Sequence, residues 1–146
     1  MERYRILDHA GDGKIRAFGA TLEEAFGNAA LAVVSLMTDR ETIERRVERG
    51  VAVEGGDLGQ LLVRFLNEIL YLFDAQGFLP GAVENLTIEA PAASSMVRLT
   101  ARLAGDDRPG RYEFHGDVKA VTYNEMKIET CPCGPGPWTV QVVVDL

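Results

Sequence analysis

The chain has 146 residues, a length that suits one domain over residues 1–146 built on a single hydrophobic core. Apolar residues make up 47% and charged residues 25%, which excludes a disordered chain, and a formal charge of −7 sets the protein against binding phosphate backbones on its own. The longest purely apolar run, Ala29 to Val34, is too short to span a bilayer, and the opening residues mix charges where a signal peptide would be apolar. A cytoplasmic protein with no membrane association is the expectation.

In chain order, Tyr4 to Leu7 reads as a short strand running into a polar, glycine-bearing loop from Asp8 to Gly13. Lys14 to Phe18 alternates as a second strand and stops at Gly19. Thr21-Leu22-Glu23-Glu24 is a capping box, and Leu22, Ala25, Phe26, Ala29, Val33, Leu36 and Met37 keep the helical rhythm, predicting a helix over Leu22 to Met37. Thr42 to Val53 reads as one longer strand or a strand with a bend. Asp57 is placed to cap a second helix carrying Leu58, Leu61, Leu62, Phe65, Leu66, Ile69, Leu70 and Phe73, with Gly77 as its stop. Its larger apolar side chains make this second helix the expected central element of the core.

Strands dominate the remainder: Leu86 to Glu89, Met96 to Ala104, Val118 to Thr130 and Trp138 to Asp145. Asp106 to Gly110 is turn chemistry, and the turn-forming Cys131 to Pro137 makes the last two strands a hairpin. The fold class is α+β, with two helices packed on a mixed, mostly antiparallel sheet system of about seven strands.

Three clusters could carry chemistry. Asp8-His9-Ala10-Gly11-Asp12 places two carboxylates and an imidazole within five residues, suited either to holding a hard cation or merely to capping turns. Asp145 and Leu146 set a carboxylate beside a terminal carboxylate, a repulsion that a cation or an arginine would relieve if the terminus is ordered rather than frayed. Lys119 could contact a phosphate or an acidic partner, or simply be solvated. Cys131 and Cys133 leave only His9 and His115 to complete a zinc site, so a hairpin turn is the plainer reading. Phosphate-loop, dinucleotide, HExxH and GxSxG signatures are missing, and the shortage of bases and nucleophiles argues against intrinsic catalysis.

Taken together, these segments resemble the archease family along nearly the whole chain. Asp8-His9-Ala10-Gly11-Asp12 followed by Ile15-Arg16-Ala17-Phe18-Gly19 is similar to the family's N-terminal signature. Thr21 to Phe26, Asn28 to Ala30 and Met37-Thr38-Asp39 fit its first helix, and Leu66 to Asp74 its second. Lys119-Ala120-Val121-Thr122-Tyr123 and the ending Trp138 to Leu146 complete the order.

The resemblance implies a non-catalytic accessory protein of the GTP-dependent tRNA-splicing RNA ligase, which joins a 2′,3′-cyclic or 3′-phosphate end to a 5′-hydroxyl. Such proteins promote guanylylation of the ligase and its repeated turnover in tRNA splicing or RNA repair, meeting RNA only through the ligase. It also implies a divalent metal site on Asp12, Asp145 and the Leu146 terminus, with calcium the leading ion and magnesium or manganese as alternatives. Lys119 matches a functionally important lysine, and Asp8 and His9 join it as residues for the partner. Three departures stand out: Ala10-Gly11 replaces the family's Thr-Ala, and Asn124 and Tyr112 stand where family histidines are expected. Two other readings compete. A chaperone or specificity modulator of a tRNA methyltransferase needs no GTP, and a metal-dependent phosphoester enzyme would turn over alone.

Overall fold

The computed structural model describes residues 2–9, 12–130 and 136–146, without the side chains of Asp8 and His9. Seven strands and two long helices follow in the order β1 (Tyr4–His9), β2 (Asp12–Gly19), α1 (Leu22–Ser35), β3 (Val47–Gly55), α2 (Leu58–Gln76), β4 (Leu79–Glu89), β5 (Val97–Asp106), β6 (Ala120–Thr130) and β7 (Trp138–Asp145). One sheet has the order β1-β2-β7-β6 and the other β3-β5-β4, and every described pairing is antiparallel. The expected two helices on about seven strands stand, resolved into two separate sheets.

Both helices lie between the sheets. One side of α1 meets β2 and β7 and the other meets β4, while α2 bridges β6 and β3. Thr21 caps α1, its hydroxyl accepting from the Glu24 amide at 3.1 Å, and Glu24 reaches back to the Ala20 amide. Asp57 caps α2 in the same way, and Gly77 ends it with the left-handed φ of 66° that glycine adopts without strain.

The expectation that α2 is the central element is corrected. Every residue of α1 from Ala25 to Val34 is buried, as a helix covered on all sides requires. Its alanines and Gly27 let both sheets approach closely: Gly19 packs directly on the backbone at Ala25, and Gly27 faces Val83 of β4. The α2 helix supplies bulk instead, with Leu61, Leu62, Phe65, Leu66 and Ile69 buried but Arg64, Tyr71 and Asp74 exposed. Small side chains, not large ones, mark the helix that two layers share.

Other boundaries move as well. The predicted loop from Asp8 to Gly13 is mostly strand, since β1 runs to His9 and β2 starts at Asp12. Ladder pairing with β1 and β7 fixes polar and glycine residues that carry no strand preference of their own. Helix α1 ends at Ser35, before Met37. The predicted strand from Thr42 begins only at Val47, because Asp39 caps a 3-10 turn over Arg40–Thr42. Strand β4 starts seven residues ahead of the predicted Leu86, since Leu79 and Pro80 are already paired with β5. Cys131 and Cys133 lie outside the described residues, so the thiol and zinc readings stay there too; β6 and β7 do pair from Thr130 opposite Trp138.

Candidate functional site

Strand register brings the chain's distant acidic residues together at one end of the four-stranded sheet. His9 pairs with Asp12, Asp12 with Asp145, and Asp145 with Ala120, so one row crosses all four strands. Directly opposed residues share a face, with Cβ atoms roughly 4.5–5.5 Å apart, so the Asp12 and Asp145 side chains leave the sheet side by side. Ile15 and Ala17 point to the helices and are buried, which sends Asp12, Lys14 and Arg16 to the opposite face. Asp145 is exposed and Asp12 half-buried.

Beyond this row, the Lys119 amide donates to the Asp145 carbonyl at 2.9 Å. Lys119 therefore continues the row although it precedes β6, and its side chain is exposed. A strap from Tyr112 to Lys119 carries it there across the C-terminus of α1. The strap is tied by Thr38, whose hydroxyl donates to the Glu113 carbonyl at 2.6 Å, and by the His115 amide, which donates to the Met37 carbonyl at 2.9 Å. Val118 anchors its end in the core. On α2, Asn67 Oδ1 accepts from the Val121 amide at 3.2 Å and holds the start of β6. Leu146, 46% exposed, lies over Gly13 beside Leu36, so the chain stays docked past Asp145.

The outer face of the sheet next to the row is not bare. Between the pairs Thr122–Val143 and Lys127–Gln141 the ladder slips, and β6 bulges through Tyr123 to Met126. Glu125 holds a positive φ of 51° there, and its carbonyl accepts from Gln141 Nε2 at 2.8 Å. Gln141 Oε1 in turn accepts from Arg16 at 3.2 and 2.8 Å, and Lys14 Nζ lies 3.3 Å from Glu125 Oε1. Gln141 and Val143 are consequently buried although they lie on the face opposite Val140, Val142 and Val144. Asn124 and Tyr123 are exposed on the bulge, two positions and one position past Thr122.

Sequence reasoning singled out Asp12, Asp145, Leu146 and Lys119, and the fold places all four at one sheet end. The backbones of Asp8 and His9 lie on the same strand end, their side chains being outside the description. Asn67, Gln141 and Glu125 were missed as supports. Asn67 alone left a signal, as an amide set within the apolar run of α2.

Among the described residues, no three or more His, Cys, Asp and Glu side chains converge as metal ligands. Were a metal held at this sheet end, Asp12, Asp145 and Leu146 would offer it carboxylate oxygens, hard donors that suit calcium or magnesium rather than a soft metal.

Tyr112 is integrated elsewhere. Its hydroxyl donates to the fully buried Asp106 at 2.7 Å and accepts from the Glu44 amide at 3.1 Å. This bond, with help from the Arg108 amide and Arg111, holds the Asp106 carboxyl below the usual carboxylate range against the cost of its burial. Burial first, and the Asp106 bond second, push the Tyr112 phenol up.

This arrangement can be set against known proteins. The Archease protein family (MTH1598/TM1083) matches residues 4–146. The chain belongs to the archease family. Protein archease of Pyrococcus furiosus is 39% identical over 146 residues, covering all of both chains. Protein archease of Methanosarcina mazei is 37% identical, covering 99% of this chain and 97% of its own. The solution structure of Methanobacterium thermoautotrophicum protein 1598 superposes with a TM-score of 0.80 at 30% identity, covering all of both chains. An archease fold thus accounts for the two helices packed on two antiparallel sheets.

Proposed function

We propose that this archease is a non-catalytic activator of the GTP-dependent tRNA-splicing RNA ligase, promoting its guanylylation and repeated turnover through an acidic, cation-bearing sheet end. The observation that carries the reading is the opposition of Asp12 and Asp145 across β2 and β7, with Lys119 joined to Asp145 through its amide. Two carboxylates on neighbouring strands repel unless a cation or a basic group lies between them. A calcium-sized ion takes six to eight oxygen ligands. The carboxylates of Asp12, Asp145 and Leu146 would fill only part of that shell and leave positions for groups of a partner.

Exposure favours the same reading. Asp145 and Lys119 are exposed and Asp12 is half-buried, so the row is open to a partner. An acidic sheet end and a net charge of −7 suit a partner whose RNA-binding surface is basic. When bound, a divalent ion would supply charge stabilisation for a phosphoryl group held by that partner. Asp12 and Asp145 would hold and present it, and Lys119 would contact a phosphate or an acidic ligase group. RNA is met only through the ligase, and the setting is the cytoplasm; no helix among the described residues is long and apolar enough to cross a membrane.

The test is multiple-turnover ligation of a 3′-phosphate RNA by the source organism's ligase with GTP and metal, with and without this protein. Stimulation lost in Asp12→Ala and in Asp145→Ala, both still folded, is the expected result. Normal stimulation by those variants removes the acidic site from the account. No stimulation by the unaltered protein with an active ligase removes the activator reading and favours a chaperone of an RNA-modifying enzyme.

A further inference from the structure

The sheet face that bears the acidic row also carries a lysine within reach of both carboxylates and tied away from them. Lys14 follows Asp12 by two residues on β2, so its side chain leaves the same face about 7 Å along the strand. It stands opposite Val143, which makes Asp145 its diagonal neighbour across the β2–β7 ladder, about 7–8 Å away and within the span of a lysine side chain. Leu7 and Val143 flank it in its own row and offer no charge. Arg16, the next residue on this face, is taken up by Gln141 Oε1. Among the described residues the ammonium therefore has two anionic destinations, the Asp12–Asp145 pair on one side and Glu125 on the other.

It goes to Glu125. Lys14 Nζ lies 3.3 Å from Glu125 Oε1, with the lysine side chain 18% and the glutamate side chain 44% exposed. Glu125 is a non-glycine residue at a φ of 51°, on the bulge where the ladder slips between Thr122 and Lys127. Gln141, only 2% exposed, holds it there: its Nε2 donates to the Glu125 carbonyl at 2.8 Å while Arg16 donates to its Oε1. Gln141 belongs to the row of Arg16, one row beyond Lys14 when counted from Asp12. The Glu125 backbone is thus pinned on the side of Lys14 away from the carboxylates, and its side chain draws the ammonium in that direction.

We propose that Glu125 is a positioning residue that holds the Lys14 ammonium off Asp12 and Asp145, keeping their carboxylates open to a divalent cation for which Lys14 is the built-in competitor. The inference rests on the cation-bearing reading of the acidic row and adds two residues that set its affinity. An ion pair this open to water on the glutamate side is weak enough to yield. Once released, Lys14 reaches the carboxylates and relieves their repulsion in place of the cation. A unit charge about 7 Å from a divalent ion changes its affinity by roughly tenfold in water at low salt.

Calorimetric titration of the isolated full chain with calcium chloride and with magnesium chloride at low ionic strength tests it. Glu125→Gln, which keeps size and backbone, should weaken the better-bound ion by about five- to tenfold, and Lys14→Met should bind it at least as tightly as the unaltered protein. The deciding comparison is made in the Lys14→Met background. There Glu125→Gln should shift affinity by less than about twofold, because no ammonium is left to release. An equal loss in both backgrounds would make Glu125 no more than a distant negative charge and overturns the proposal. Unchanged affinity in Glu125→Gln overturns it too, while leaving the acidic row as a cation site. If the unaltered protein binds neither ion, or Asp12→Asn, Asp145→Asn combined binds as well as it does, the cation reading of the row fails and takes this inference with it.

Discussion

Tyr112→Phe is the substitution whose cost can be worked most directly from the structure. It keeps the ring, which packs against the core, and deletes one oxygen. That oxygen donates to Asp106 Oδ2 at 2.7 Å and accepts from the Glu44 amide at 3.1 Å. Water can replace the second bond, since Glu44 is exposed, but not the first, since Asp106 is fully buried. A hydrogen bond to a charged group contributes about 1.5–3 kcal/mol. Asp106 keeps the Arg108 amide at 3.2 Å and Arg111 at 3.6 Å, so the middle of that range, about 2 kcal/mol, is expected. For a chain of this size the melting temperature should fall by roughly 4–8 °C. The pH dependence carries a sign. Because the Tyr112 bond lowers the Asp106 pKa in the fold, its stabilisation is present above the unfolded carboxylate value near 4 and is lost as pH falls through the folded value. The gap between the two proteins should therefore be full at pH 7 and shrink in acid. Tyr112 itself, raised in the fold, contributes stability below its unfolded value near 10 that is lost as pH rises through the folded one. Thermal unfolding followed by circular dichroism across this range is the assay. A neutral-pH gap under about 1 °C, or one that persists unchanged in acid, would refute the reasoning.

Other expectations follow from the same geometry. Millimolar calcium or magnesium should raise the melting temperature of the unaltered protein and not of Asp12→Asn, Asp145→Asn combined, because binding to the native state alone stabilises it by mass action; an equal shift in both would place the ion elsewhere. Lys119→Ala should lower ligase stimulation with the melting temperature within about 2 °C of the unaltered protein, since its side chain is exposed while its amide remains. Gly19→Ala should cost more than about 3 kcal/mol, because a Cβ there would lie 2.7 Å from the Thr21 carbonyl oxygen and still closer to the Ala25 amide; a soluble variant melting normally would contradict the packing of α1 on β2.

How much of this was legible beforehand differs between local and long-range features. Both helices announce their starts because Thr21 and Asp57 are caps whose chemistry acts within four residues. The early start of β4 was hidden because Pro80 and Gly81 read as breakers, and only pairing with β5 makes strand of them. The same reason turned Asp8, His9, Asp12 and Gly13 from loop into strand. The role of α1 was misread because alanine looks poor in burial value when counted by area, yet two layers can share only a helix slim enough for both. Burial of Gln141 was invisible for a related reason: the Tyr123–Met126 bulge that covers it depends on a register slip that no periodicity records.

The acidic row shows where sequence reading and topology need each other. Asp12 and Asp145 lie 133 positions apart, and nothing in either neighbourhood names the other. Alternation along β7 does assign Asp145 to the face opposite the buried Val140, Val142 and Val144, and alternation along β2 does the same for Asp12. Which strand adjoins which is decided by the β1-β2-β7-β6 order, and a register shifted by one residue would put the two carboxylates on opposite faces. Register is firmly set here because Ile15, Ala17, Val140 and Val142 must all face α1 together. The core that α1 fills thus determines, some residues away, that two carboxylates meet. Weakening that packing, by enlarging Ala29 for example, should damage ligase stimulation along with stability, even though Ala29 belongs to α1 and not to the acidic row.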